Sequence, residues 1–187
     1  MARQSRMPAK AAVGLYRLLE GAGITVWLDG GWAVDAVLGR QTREHGDLDI
    51  VLEVRFVDLL RAVLEREGFR DAPTPDTTPW NFVLGNDEGL EVDVHAFIFD
   101  ENGDGVYGPP ENGAYYRAEA LTGEGVIAGQ RVRCISPEWL LRFRIGYPPR
   151  DKDFLDVRVF CDHFGFELPE EYLRALPPTG SQSSSSQ

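Results

Sequence analysis

From Val26 to Glu53 the chain reads as strand, glycine pair, short helix, basic loop and a second strand in which acid alternates with aliphatic. That order leaves few folds open. Val26 to Leu28 is an apolar run with strand character, Gly30-Gly31 interrupts it, and Trp32 to Leu38 has helical spacing with Gly39 as a stop signal. In Asp47-Leu48-Asp49-Ile50-Val51, side chains two apart share a face of a strand. Asp47 and Asp49 are therefore expected to point together into a cleft, with Leu48 and Ile50 turned to the core. Carboxylates roughly 4–6 Å apart repel, and a divalent cation compensates. Paired oxygen ligands suit magnesium shared between protein carboxylates and phosphates. A D-x-D by itself is also compatible with a solvated strand face. Here a glycine turn feeds a helix start, where backbone N–H groups and the positive dipole end favour a phosphate.

A third acid stands in Leu90 to Phe99, where apolar and polar residues alternate as far as Ala96. Glu91, Asp93 and His95 then lie on one face, opposite Leu90, Val92 and Val94. If this strand neighbours the first, Asp93 joins Asp47 and Asp49. Taken singly, Glu91 also fits a wet edge strand, and His95 a hydrogen-bonded structural histidine.

The blocks GGWAVDAVLGRQTREHGDLDI, VDVH, EGVIAGQRVRCIS and GYPPRDKDFLDV occur in this order between Val26 and Tyr172. Together they resemble the nucleotidyltransferase superfamily typified by DNA polymerase beta. The likeness is greatest to its small antibiotic-modifying members, the lincosamide and single-domain aminoglycoside nucleotidyltransferases. The resemblance implies an α/β (α+β) fold with a mixed central sheet, packed helices and a short C-terminal helical segment. It implies Asp47, Asp49 and Asp93 as metal-binding and catalytic acids, Asp93 also activating the acceptor hydroxyl, and Gly30 and Gly31 as phosphate-binding glycines. Arg40, Arg43, His45 and Lys152 match positions that neutralise the triphosphate, although Lys152, between Asp151 and Asp153, equally fits a solvated helix face. The implied reaction transfers a nucleoside monophosphate from a magnesium nucleotide, ATP by expectation, to an antibiotic hydroxyl, with release of pyrophosphate. Asp93-Val94-His95 and the C-terminal segment resemble the lincosamide group, whereas EGVIAGQRVRC resembles the aminoglycoside group. The balance favours a lincosamide acceptor. A macromolecular or metabolite acceptor remains an alternative.

At 187 residues and 43% hydrophobic content, one core is expected, with a nucleotidyltransferase domain and its C-terminal helices over residues 1–176. PPTGSQSSSSQ, residues 177–187, reads as a disordered tail. Cys134 and Cys161 lack C-x-x-C spacing, which points to a reducing cytoplasm and away from zinc. The basic N-terminus leads into an amphipathic segment and not an apolar signal core, and no run reaches membrane-span length. A net charge of −11 argues against a nucleic-acid partner and suits a cationic small molecule. A homodimer stays open.

Helices are expected over Ala11 to Glu20, Arg55 to Glu67 and Asp151 to Phe164, with a further helix capped by Ser136 and begun by Pro137. Trp80 to Leu84 reads as a strand and Gly125 to Cys134 as a hairpin. Asp100 to Gly113, with its DENGDG fragment, lacks the ligand spacing of a calcium loop and reads as a mobile loop near the acceptor. Tyr115 and Tyr116 follow it, with Tyr115, Glu91 and His95 as candidate acceptor contacts.

Overall fold

Strand alternation and burial agree closely in the two strands that carry the acids. In β2 (Leu48–Glu53) Leu48, Ile50 and Leu52 are fully buried, and in β5 (Glu91–Phe99) Val92, Val94 and Ala96 are too. Each strand thus gives one aliphatic face to the core and turns its acids the other way. The computed structural model describes residues 6–145 and 148–174, and the side chains of Lys152 and Arg174 lie outside that description. The expected tail at 177–187 also falls outside it. The chain separates into two compact units that divide after Leu140. The domain expected over residues 1–176 takes in both.

The first unit is built on a mixed sheet. Its other strands are β1 (Val26–Leu28), β3 (Arg70–Asp71), β4 (Asn81–Gly85), β6 (Gly105–Tyr107), β7 (Tyr115–Tyr116), β8 (Gly123–Ile127) and β9 (Gln130–Cys134). The order is β3-β4-β5-β2-β1-β9-β8, with β6 pairing β5 and β7. β2 runs parallel to β5 and β9 parallel to β1, while β1 with β2, β4 with β5, and β8 with β9 are antiparallel. Helices α1 (Ala9–Gly21), α2 (Gly30–Leu38) and α3 (Val57–Arg66) belong to the same unit.

α2 begins at Asp29, whose carboxylate accepts from the Gly30 N–H at 2.7 Å, and ends at Gly39 in the left-handed conformation. It starts two residues earlier than its apolar spacing predicts, because the glycine pair is the first turn of the helix and not a break before it. The expected helix from Arg55 opens as a 3-10 turn, Val54–Phe56, before α3. The segment expected as a loop from Asp100 contains β6. Asp100 Oδ1 accepts from the N–H groups of Asn102 (2.8 Å) and Asp104 (3.0 Å). Asp104 in turn accepts from Ala118 N–H at 2.8 Å and from Arg117, so side-chain bonds shape a stretch whose composition alone reads as loop.

α4 (Pro137–Arg142) crosses the division between the units, and the Ser136 carbonyl accepts from Trp139 and Leu140 as its first turn forms. The second unit holds α5 (Asp151–Phe164) and α6 (Glu170–Arg174). Val157, Cys161 and Tyr172 form its core, packed by Leu141, Phe154, Phe166 and Leu168, and the Tyr172 hydroxyl donates to the Arg144 carbonyl at 2.7 Å. Asp153 accepts from the Arg150 backbone and guanidinium, both at 2.9 Å, which caps α5.

Candidate active site

Parallel pairing of β2 with β5 sets Asp49 directly opposite Asp93 and Val51 opposite His95. Asp49, Asp93 and His95 each offer a ligand atom, all lying within 4.8 Å of one another. Asp47 stands one residue before β2 and is not one of these three. Its charge is still felt at Asp93. Burial pushes the Asp93 carboxyl above its ordinary range, His95 opposes the push, and Asp47 and then Asp29 add to it. Such crowding of negative charge on half-buried carboxylates fits a divalent cation held by Asp49 and Asp93, and hard oxygen donors suit magnesium.

Asp29 is a fourth acid that the strand patterns do not reveal. It lies at the junction of β1 and α2, where its backbone N–H donates to the Asp49 carbonyl at 3.0 Å. A polar residue that ends a strand and precedes a glycine-led helix is an N-cap signal, which could have found it.

The glycine pair is packed against this site. Gly30 has φ +58°, and a Cβ there would collide with the Asp49 carboxylate. A Cβ on Gly31 would strike the His45 ring and the Arg43 guanidinium. Gly30 therefore lets the start of α2 approach Asp49, and Gly31 lets it approach His45 and Arg43. Arg43 also donates to the Glu44 carbonyl at 3.0 Å.

His45 is buried, its Nε2 paired with Asp35 and its ring 4.5 Å from that of Trp32. Asp35 also accepts from the Thr42 N–H at 2.9 Å and the Thr42 hydroxyl at 2.6 Å. A buried carboxylate on α2 thus gathers the basic loop that leads into Asp47. Arg40 is exposed and lines a cavity with Trp32, Gly39, Gln41, Val126 and Ile127, a lining that holds none of Asp47, Asp49 and Asp93. Lys152 falls on α5, with its side chain outside the description.

Beyond the acids, one face of the sheet becomes aromatic. Phe97 pairs with Tyr107 and Gly105 with Tyr116, so Tyr107 and Tyr116 share the face of Asp93 and His95. Ring centroids of Trp27 and Phe97 are 6.0 Å apart, and those of Tyr107 and Tyr116 5.7 Å. Gly105 is required there because a Cβ would meet the Phe97 ring at 2.6 Å. Tyr115 pairs with Val106, so alternation turns it to the opposite face, where the Arg117 guanidinium lies 5.1 Å from its ring. Glu91 stays on the face of Asp93, half-buried at the start of β5. Among the described residues, no helix is long and apolar enough to cross a membrane.

A family model described as aminoglycoside-2″-adenylyltransferase matches residues 12–160. A lincosamide resistance protein of Staphylococcus haemolyticus is 30% identical over 156 residues, covering 83% of this chain and 96% of the relative. A 2″-aminoglycoside nucleotidyltransferase of Escherichia coli is 33% identical over 173 residues, covering 83% of this chain and 89% of the relative. Among solved structures, a lincomycin-bound lincosamide antibiotic adenylyltransferase superposes with a TM-score of 0.73 at 28% identity, covering 83% of this chain and 98% of the other.

Proposed function

Because the chain belongs to the aminoglycoside-2″-adenylyltransferase family, and is therefore an antibiotic nucleotidyltransferase, we propose that it transfers AMP from ATP to a hydroxyl of a lincosamide. The observation that carries the chemistry is Asp49 facing Asp93 across adjacent parallel strands, beside the glycine-led start of α2. In the step, the acceptor oxygen bonds to the α-phosphorus while the bond to the pyrophosphate oxygen breaks, and the hydroxyl proton passes to Asp93. Asp49 and Asp93, with Asp47 at the edge, would hold magnesium, which supplies charge neutralisation at the phosphates. Arg43 and the N–H groups at the start of α2 bind phosphate oxygens, and His45 positions the loop by its bond to Asp35.

Two features favour the lincosamide over the aminoglycoside acceptor. His95 completes the Asp-x-His pattern of the lincosamide group, and the partly exposed Trp27 and Tyr107 offer an amphiphilic sugar-amide apolar surface. The aminoglycoside reading draws on EGVIAGQRVRC. That segment forms β8 and β9, where Gly125 packs against the backbone of Ala36, so its likeness concerns the scaffold.

Pyrophosphate release and product mass with Mg-ATP test the reading. Lincomycin or clindamycin should gain one AMP, faster than kanamycin or gentamicin. AMP on an aminoglycoside and on neither lincosamide would overturn the acceptor. Silence with every acceptor would overturn the function.

A further inference from the structure

Tyr107 is absent from every sequence pattern that marks the site, yet its hydroxyl lies 3.1 Å from His95 Nδ1. On the far side of the ring, His95 Nε2 lies 3.8 Å from Asp93 Oδ1. The three side chains form a row on one face of β5 and β6, fixed by the pairing of Phe97 with Tyr107. The Tyr107 ring is held edge-on to Tyr116, and its centroid is 5.9 Å from that of His95.

A neutral imidazole carries its proton on one nitrogen only, and the hydrogen bond at one nitrogen decides which. Burial, followed by the charges of Asp93 and Asp29, pushes the Tyr107 phenol up to about 12, so it keeps its proton and has one to donate. With the phenol donating to Nδ1, the imidazole proton sits on Nε2, the nitrogen that faces Asp93. Magnesium prefers oxygen over imidazole nitrogen, so a histidine beside two carboxylates serves the site better as a donor to one of them than as a ligand.

We propose that Tyr107 is a positioning residue: its hydroxyl fixes His95 in the Nε2–H tautomer, and His95 thereby holds the Asp93 carboxylate in the orientation that receives the acceptor proton. The catalytic half rests on the nucleotidyl-transfer reading above, whereas the tautomer half does not. Tyr107→Phe keeps the ring packing and removes only the hydroxyl.

The test pairs kinetics with imidazole nitrogen NMR on the full chain, whose three histidines are His45, His95 and His163. At about pH 8.5, where imidazole in water is neutral, wild-type His95 should show a protonated Nε2, and Tyr107→Phe should shift it toward Nδ1–H or a mixture. In the same variant kcat should fall roughly 10-fold, with nucleotide KM and Tm unchanged. In a His95→Gln background, Tyr107→Phe should cost no further activity, because its effect passes through the imidazole. The tautomer of wild-type His95 keeps the proposal open to refutation even if a variant folds poorly. A wild-type Nδ1–H tautomer, or one unmoved by Tyr107→Phe, would overturn the pairing. A shifted tautomer with unchanged kcat, or an equal loss in both backgrounds, would overturn the positioning role. If the wild-type enzyme releases no pyrophosphate, the functional reading and the catalytic half fail together, while the NMR still decides the pairing.

Discussion

Asp93 carries opposite consequences for activity and stability. An acid whose folded-state pKa lies above its unfolded value binds its proton more tightly when folded, so its contribution favours the fold at low pH and is lost as pH rises through the raised range. At neutral pH the ionised Asp93 is therefore a burden, since it is half-buried beside Asp47 and Asp29. Asp93→Asn should raise Tm at pH 7 without magnesium, and melts at falling pH should show the gain shrinking toward about pH 4, where a free carboxyl is protonated. A pH-independent Tm difference would place the effect in packing. Turnover should fall in the same variant, as it should in Asp49→Asn, by roughly 10²-fold or more in pyrophosphate release, because under the proposed function each loses a charge that would hold the cation neutralising the reacting phosphate. Near-normal release from Asp49→Asn would remove that residue from the site. Asp49, Asp93 and His95 were legible from strand alternation, which fixes the face a residue occupies. Asp29 and Tyr107 were not, because an N-cap and a residue on a three-residue strand carry no period to read.

Elements in this protein are tied together by contacts that sequence patterns cannot display. The order of β1, α2 and β2 was legible because glycine stops and apolar spacing are local signals. The parallel neighbourhood of β2 and β5 was only a conditional expectation, since register between strands some forty residues apart is a tertiary fact. Asp35 illustrates the limit well. It sits on a helix among apolar residues and reads as polar filling, yet it is 2% exposed and bonds His45 and both the backbone and the side chain of Thr42. Removing it leaves several buried polar groups without a partner. Asp35→Ala should therefore cost about 3 kcal/mol in denaturant unfolding and loosen the loop that delivers Asp47. A loss under about 0.5 kcal/mol, the scale of an ordinary surface change, would show that His45 and Thr42 find other partners.

At the level of the whole chain, charge is the property that sequence states outright and local geometry does not. The net balance is −11, and Asp29, Asp47, Asp49 and Asp93 place part of it at the site. Such a field attracts a cationic acceptor and repels a nucleotide that is not charge-compensated. A Debye length of about 10 Å at 0.1 M salt means that this attraction acts over the approach to the site and is lost as salt rises. For lincomycin, whose tertiary amine is protonated at neutral pH, kcat/KM should fall several-fold between about 0.02 and 0.3 M salt at saturating Mg-ATP, with kcat itself little changed. The change should appear in KM because steering alters encounter and not the chemical step. Measured against an acceptor analogue in which an N-acyl group replaces one N-alkyl substituent and so removes the charge, whose kcat/KM should respond weakly to salt, the comparison isolates the charge. Equal salt dependence for the two acceptors would mean that the acidic balance of the chain has no part in acceptor capture.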